Sequence, residues 1–456
     1  MSTIVSISTA PGIGGIGIIR MSGEKSFEIL DKIFKPKTSQ KIEDIKGYTI
    51  KYGHIVENNE IIDEVLVSYF KAPRSYTTEN MCEINSHGGN VVVKKILELC
   101  LKNGAELAEP GEFTKRAFLN GRIDLLQAES VIDVINAKSE REAKNGIKQL
   151  EGFLSNEIAK IKQEIMDVMI NIEVAIDYPE YDVDDVTSNQ INEMLVTVEN
   201  KLIKLSKSFD NGKIIKEGIK TAIIGRPNAG KSSLLNAILK EDRAIVTEYE
   251  GTTRDTIEEF VNINGIPLKL VDTAGIRDAK DEVEKIGIAK SKEIAKDADL
   301  IIAIFDASKD LGKEDLEILE LIKNKKAIIL LNKTDLKEKI NENDQKIKET
   351  GATVIKISAL KREGIENLYD EITKMFDLNQ INLDQETVIT NVRHKNLIDQ
   401  AIESTKKAKD TMEQKMPIDI IAIFIKDILE DLGKITGEIV TDDIIDEIFS
   451  KFCLGK

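Results

Sequence analysis

The sequence predicts a multidomain chain: an N-terminal α+β domain, an α-helical domain from two chain segments, and an α/β domain inserted between those segments. Three observations lead there. Strand and helix patterns are mixed up to about Leu119, where long helical periodicity takes over. From Gly218, short β-branched runs alternate with helices, which is the pattern of a parallel sheet with crossover helices. After Leu378 helical patterning returns, and so long a helical tail needs a surface to bury against, for which the stretch 119–210 is the expected partner. A length of 456 residues suits about three domains, each able to bury a core. The expected segments are 1–118, 119–213, 214–378 and 379–456.

In the first segment, Thr3–Ser8 and Ile16–Met21 read as strands on either side of a Pro-Gly loop, Pro11–Gly15. Glu24–Phe34 reads as a helix, Tyr48–His54 and Glu64–Phe70 as strands, and Asn90–Leu101 as a helix with Val and Ile on one face. Residues 124–147 and 150–176 carry apolar residues at spacings of three and four and read as long helices. Pro179, within Asp177–Asp185, breaks that pattern, and residues 189–209 resume it. In the inserted domain the expected strands are Thr221–Ile224, Leu268–Val271, Leu300–Phe305, Ala327–Leu331 and Thr353–Ile357. Ile418–Leu432 and Asp442–Phe452 read as helices with one strongly apolar face.

Hydrophobic residues make up 41% and charged residues 32%, the profile of a globular chain and not of a disordered or fibrous one. Trp is absent and aromatics are 5%, so the cores rest on Ile, Leu, Val and Ala. Lys plus Arg is 64 and Asp plus Glu is 80, giving −16. A free-standing nucleic-acid binder presents a net basic surface. Any RNA contact of this acidic chain must therefore use a local basic patch or a partner's surface. Cys82, Cys100 and Cys453 are odd in number and far apart, which fits neither zinc-ligand spacing nor a disulfide framework. They point to a reduced cytosolic protein. No apolar run approaches the ~18 residues of a membrane span. Met1–Arg20 lacks the basic start of a signal peptide. No membrane contact is expected, and the cytoplasm is the expected compartment.

Residues 225–232 read Gly-Arg-Pro-Asn-Ala-Gly-Lys-Ser, the spacing of a phosphate-binding P-loop, between the strand Thr221–Ile224 and the helix Ser233–Leu239. Its glycines let backbone N–H groups approach phosphate, Lys231 faces the β- and γ-phosphates, and Ser232 can ligate Mg²⁺ beside the positive end of the helix. Asp272-Thr273-Ala274-Gly275 follows the next strand; its Asp can hold Mg²⁺ through water and Gly275 can offer an amide to the γ-phosphate. In Asn332-Lys333-Thr334-Asp335, the carboxylate of Asp335 can accept from N1 and N2 of guanine, a donor pair that adenine lacks, so the site selects GTP. Ser358-Ala359-Leu360 caps the base.

Each string alone is weak, but all follow strand ends in the right order, and the set resembles the translation-factor-related P-loop GTPases. The expected nucleotide contacts are thus Asn228, Ala229, Gly230, Lys231, Ser232 and Ser233, then Asp272, Thr273, Ala274 and Gly275, then Asn332, Lys333 and Asp335, and last Ser358 and Ala359. Gly251-Thr252-Thr253-Arg254-Asp255 lies between the first two, where Thr253 fits the switch threonine that closes on Mg²⁺. The position that often holds a water-orienting Gln is Ile276, so the water must be held otherwise. Asn228 either ligates a monovalent cation that neutralises developing charge or simply holds the loop. Glu284 by itself reads as one carboxylate on a solvated helix face.

Five stretches carry a resemblance over essentially the whole chain. They are Pro11-Gly-Ile-Gly-Gly-Ile-Gly-Ile-Ile-Arg20; Tyr76-Thr-Thr-Glu79 with Glu83 and His87-Gly-Gly; Pro110-Gly-Glu-Phe-Thr-Lys-Arg-Ala-Phe-Leu-Asn120-Gly; Gly225–Ser232 with Gly251–Asp255; and the terminal Cys453-Leu-Gly-Lys456. The chain resembles the MnmE (TrmE) family of tRNA modification GTPases. That resemblance implies a folate-binding-like α+β domain, a helical domain from two segments and an inserted P-loop GTPase domain. It implies a homodimer formed through the N-terminal domains. With the FAD protein MnmG, in a heterotetramer, such a chain places an aminomethyl-type group on carbon 5 of the wobble uridine of tRNA. A formyl- or methylene-tetrahydrofolate supplies the one-carbon unit. K⁺-dependent dimerisation of the GTPase domains activates GTP hydrolysis.

By the resemblance, Asn228 is a K⁺ ligand and Thr247, Tyr249 and Thr252 belong to the K⁺ loop. Ser232 and Thr253 hold Mg²⁺, and Glu284 positions the hydrolytic water through a second water. Arg20 and Glu83 match folate-site positions, Lys456 the terminal lysine near them, and Arg122 a position where the family often has Lys. Arg keeps that charge but presents a fork. Cys453 is either an exposed thiol near the chain end or a nucleophile or contact near the folate. Cys82 and Cys100 are expected in the core, and His87 is a turn residue or a pocket residue. Two other functions compete. A ribosome-assembly switch requires a basic RNA-binding appendage, whereas the tail here is helical and acidic. A non-hydrolysing scaffold is opposed by the intact Lys231, Ser232, Thr253 and Asp272.

Overall fold

Along β2 (Ile16–Ser22) and β5 (Glu60–Phe70), Ile19, Met21, Val65, Val67 and Tyr69 are buried while the residues between them are not. That period of two pleats the first sheet and gives it one apolar face. The computed structural model describes residues 1–37, 47–177, 184–239, 259–263, 265–270, 295–376 and 388–456. The other strands of this sheet are β1 (Ile4–Ile7), β3 (Phe34–Pro36), β4 (Thr49–Glu57), β6 (Met81–His87) and β7 (Glu106–Leu107), in the order β3-β4-β5-β6-β2-β1-β7. All its pairings are antiparallel except that of β1 with β7. Helices α1 (Ser26–Ile33) and α2 (Asn90–Lys102) cover the apolar face, where Ile29, Leu30, Ile33, Val93, Ile96 and Leu99 join the strand residues in one core. Arg20 and Glu83 are direct cross-strand partners, so both stand on the face opposite α1 and α2. The expected strands and both expected helices of this region are present, within a few residues at their ends.

The chain divides into two compact units. One comprises Met1–Ile132, Gln149–Asp184 and Thr411–Lys456; the other comprises Asp133–Lys148 and Asp185–Asp410. In the first, α3 (Glu112–Leu119) packs on α14 (Asp442–Ser450), and α6 (Phe153–Asp177) packs on α13 (Ile418–Thr436). In the second, α7 (Asp184–Glu217) is bonded to α12 (Val392–Glu413) through Ser206–Asp399 and Lys409–Glu199, at 2.8 and 2.7 Å. Helices from the two helical segments therefore do bury each other, as the tail required.

One expectation is corrected. The stretch 124–147 is two helices, α4 (Leu125–Ile135) and α5 (Glu140–Leu150). Ser139 Oγ accepts the Glu142 amide at 3.1 Å, while Glu142 Oε2 accepts the Lys138 amide at 2.6 Å. Ser139 thereby satisfies one free amide of a new helix start while Glu142 reaches back to the residue before the cap, a Ser-x-x-Glu start that the periodicity alone concealed. The expected break at Pro179 lies outside the described residues, between the end of α6 and the start of α7.

The second sheet has the order β13-β12-β11-β8-β10-β9, with β8 (Ile219–Ile224), β9 (Glu259–Ile263), β10 (Ile266–Leu270), β11 (Leu300–Asp306), β12 (Ala327–Asn332) and β13 (Thr353–Lys356). Only β9 runs antiparallel to its neighbour. Alternate strand residues face two cores. Ile223, Ile302 and Leu330 meet α8 (Lys231–Leu239) and α11 (Ile365–Met375), while Ala222, Phe305 and Leu331 meet α9 (Lys313–Ile322). Both faces of the central strands are buried, which is why their sequences read as unbroken apolar runs. The short α10 (Gln345–Lys348) completes the described helices.

Burial raises the Glu142 carboxyl from 4.5 to about 7. Between those values the folded chain holds a proton that the unfolded chain has released, so stability falls as pH rises across this window and stays lower above it. We expect Glu142→Gln, which keeps an acceptor for Lys138, to raise the melting temperature at pH 8, by an amount equivalent to at most about 3 kcal/mol. At pH 4.5 it should change little. Melting curves that shift equally at both pH values would show that the carboxyl does not titrate there.

Candidate functional site

In the α/β unit the chain winds from β8 to β10 on one side and to β11 on the other, and a crevice opens at such a switch point beyond the carboxyl ends of the strands. Residues 225–230 fill that position and lead into α8. Asn228 takes φ 62° and Gly230 φ 110°. At Gly230 an added Cβ would lie 2.1 Å from Asn332 Nδ2, so only glycine fits there. Lys231 Nζ donates to the carbonyls of Gly225 and Arg226 at 2.6 and 3.0 Å. An ammonium has three donors, so one remains to meet a phosphate. Burial pulls the Lys231 ammonium below its usual range. Ser232 and Ser233 are exposed in the first turn of α8, where helix amides and dipole favour an anion.

The base side is tied to this loop by side chains. Asn332, at the end of β12 and 2% exposed, donates from Nδ2 to Ala229 O at 2.8 Å and accepts the Ala359 amide at 3.0 Å. Lys333 Nζ donates to Asn228 O at 2.8 Å and to Asp306 Oδ2 at 2.7 Å. Burial opposes the charge on Asp306, but Lys333 and Ser308 outweigh it and hold the carboxyl below its usual range. Ser358 Oγ donates to Asp335 Oδ1 at 2.7 Å, which likewise lowers the Asp335 carboxyl and keeps it a charged acceptor. Hydrogen bonds thus join Asn228 and Ala229 to Lys333, Asn332 and Ala359; Gly230, Lys231, Ser232 and Ser233 continue the same loop into α8, and Asp335 and Ser358 form a pair beside Ala359. Thr247, Tyr249, Thr252, Thr253, Asp272, Thr273, Ala274, Gly275 and Glu284 lie outside the described residues. Asp306 was not singled out from the sequence; its only signal is an acidic residue ending an apolar strand.

A second group forms in the other unit, on the face of the first sheet opposite α1 and α2. Arg20 Nε and Nη2 both meet Glu83 Oε1, at 2.9 and 2.8 Å, and Nη1 donates to Gly455 O at 3.0 Å. The Arg20 guanidinium lies 5.7 Å from the ring centres of Tyr76 and Phe113. Arg122 lies 4.7 Å over the Tyr76 ring and donates to Tyr76 O at 2.9 Å. The terminal residues are held by their carbonyls: Gly455 O also accepts Ser8 Oγ at 3.1 Å, and Lys456 O accepts the Phe113 amide at 3.2 Å. Burial and then the Arg20 charge lower the Lys456 ammonium.

Arg116, 4% exposed, binds Glu79 and Glu112 and so ties the loop carrying Tyr76 to α3. Cys453 is exposed, and Cys82 and Cys100 are buried as expected, burial pushing the Cys100 thiol up to about 12. His87 ends β6 with its exposed ring 2.7 Å from Asp63. Tyr76 and Phe113 lay in the quoted stretches, but nothing in their spacing marked them as ring partners of Arg20.

A family model described as the MnmE helical domain matches residues 125–453, and one described as the GTP-binding protein TrmE N-terminus matches residues 3–122. Over 454 residues the chain is 52% identical to the tRNA modification GTPase MnmE of Clostridioides difficile, covering 100% of this chain and 99% of that one. It is 50% identical over 458 residues to the protein of that description from Acetivibrio thermocellus, and 50% over 456 residues to that from Alkaliphilus oremlandii, with the same coverage.

Gly455 sits at φ 84°, and an added Cβ would lie 2.4 Å from Ile7 O. We expect Gly455→Ala to release the terminal residues from β1. Hydrogen exchange at the Phe113 amide, whose acceptor is Lys456 O, should quicken about tenfold or more. Unchanged protection at Phe113 would mean that the tail docks without this close approach.

Proposed function

This chain belongs to the MnmE family of tRNA modification GTPases, and we propose that its GTP turnover serves the placing of an aminomethyl-type group on carbon 5 of the wobble uridine of tRNA. The observation that carries the reading is that Asn332 and Lys333 bond directly to the phosphate loop, while Asp335, two residues on, is held by Ser358 beside Ala359. Lys231 holds phosphate with its remaining donor, the α8 amides take further phosphate oxygens, and Asp335 accepts from guanine. Ser232, exposed in the first turn of α8, fits a Mg²⁺ ligand, with Thr253 and Asp272 as its proposed companions. Asn228, exposed and held at φ 62°, fits a K⁺ ligand, with Thr247, Tyr249 and Thr252 completing that set. The two metal ions supply charge neutralisation at the transferring phosphate. Glu284 orients the attacking water.

Arg20 lies over the Tyr76 and Phe113 rings, Arg122 over Tyr76, and the Lys456 ammonium senses Arg20, a donor set suited to an anionic aromatic ligand. A formyl- or methylene-tetrahydrofolate has that chemistry, and Cys453 is the exposed thiol of the same docked tail. The working protein is a homodimer in the cytoplasm, joined by the FAD partner MnmG, whose surface helps an acidic chain engage tRNA. No helix of the described residues is long and apolar enough to cross a membrane. A ribosome-assembly switch needs a basic appendage, whereas this chain aligns along its whole length with proteins described as tRNA modification GTPases.

GTP hydrolysis in K⁺ should exceed that in Na⁺ by about tenfold or more, and Glu284→Ala should lower the K⁺ rate about a hundredfold. Equal rates in the two salts would reduce Asn228 to a loop-holding residue. By calorimetry, Arg20→Ala should weaken tetrahydrofolate binding about tenfold or more; an unchanged Kd would remove the folate site from this face.

A further inference from the structure

Arg226 is the second residue of the phosphate loop, and nothing so far gives its side chain a task. Its carbonyl has two: it accepts the Ala229 amide at 3.2 Å and Lys231 Nζ at 3.0 Å. The side chain reaches α9, where Nη1 meets Asp315 Oδ2 at 3.0 Å. Asp315 is 1% exposed and also accepts the Gly312 amide at 2.8 Å, closing the start of α9. Among the described residues, Arg226 Nη2 and Asp315 Oδ1 are buried without a hydrogen-bond partner. A buried ion pair with unmatched atoms is a poor stabiliser, because apolar residues of similar volume serve the fold as well or better. What such a pair does supply is a fixed direction for the guanidinium.

We propose that Asp315 is a positioning residue for GTP hydrolysis: by pinning the Arg226 side chain to α9 it fixes the carbonyls that seat Lys231, and with them the point at which the lysine meets phosphate. Lys231 has two of its three donors committed to Gly225 and Arg226. The third donor's direction is therefore set by where those carbonyls stand. Asn332 and Lys333 hold the loop at the carbonyls of Ala229 and Asn228; the bond to α9 adds a hold at Arg226, whose own carbonyl seats Lys231. Because the phosphates carry their charge before the reaction begins, a displaced Lys231 weakens ground-state and transition-state binding together.

The test uses the full chain and Asp315→Asn, which is isosteric and can still accept the Gly312 amide. Melting, the Kd for a fluorescent GDP analogue, and KM and kcat for GTP in K⁺ are measured together. A melting temperature close to that of the unaltered chain, with Kd and KM raised about tenfold and kcat within about threefold, supports the proposal. Arg226→Gln should give the same loss, and the double variant should be no worse than either single one. Unaltered affinity in a folded Asp315→Asn chain, or single losses that multiply in the double variant, would overturn it. Should Asp315→Asn fail to fold, Arg226→Gln and Arg226→Lys decide the matter. Affinity lost in a folded Arg226→Gln chain and not fully restored in Arg226→Lys supports positioning by the guanidinium, and unaltered affinity in Arg226→Gln overturns it. If the unaltered chain bound no GDP, the GTPase reading itself, on which this rests, would fail first.

Discussion

The side-chain amide of Asn332 is the interaction on which the nucleotide site depends. It is buried, its Nδ2 donates to Ala229 O and its Oδ1 accepts the Ala359 amide. It thereby joins the phosphate loop, the end of β12 and the loop after β13. No other side chain serves in its place: Asp offers no donor, and an apolar residue would strand a buried carbonyl and a buried amide at once. Two further identities follow from it. Gly230 must lack a Cβ because Asn332 Nδ2 already occupies that space. Lys333, next in sequence, is delivered to Asn228 O and Asp306. The phosphate loop and the ends of β11, β12 and β13 are held as one polar network, in which each bond polarises the next.

The other unit solves a similar problem with a chain terminus. The carbonyls of Cys453, Gly455 and Lys456 accept from Gly111, Arg20 and Ser8, and Phe113, so the tail is recognised through its backbone. Backbone recognition leaves the Cys453 thiol and the Lys456 ammonium uncommitted by the docking itself. It also explains why a lone glycine between Leu454 and Lys456 matters, since the close approach to Ile7 O excludes a side chain.

The central strands of the α/β unit and the motifs at their ends were legible because burial on both faces writes an apolar run, and each run stops where polar chemistry begins. The helix break before Ser139 was not, because its capping box sits among residues that also favour helix. Arg20 and Glu83 are 63 residues apart, and only the β2–β6 register makes them neighbours. Their role entered through resemblance, and spacing could not have supplied it. Asp306 and Asp315 escaped for another reason. Each is a single acidic residue in an acidic chain, distinguished only by burial and by the cation it meets.

Net charge says little about either site, since at physiological salt charges beyond about 8 Å are screened and local partners decide. Most informative is which cations lack carboxylates. Lys95, Lys323, Lys356 and Lys434 each pair with a glutamate, and the bond raises their ammonium groups. Lys231 and Lys456 are lowered instead, the first by burial and the second by burial and Arg20. A paired surface lysine gains little from an arriving anion, because it must give up one it already has. A desolvated lysine held by carbonyls, or crowded by an arginine, gains a partner it lacks. Lys231 and Lys456 thus differ from those four lysines in their surroundings, and an arriving anion would stabilise each of them more than it would a lysine already paired.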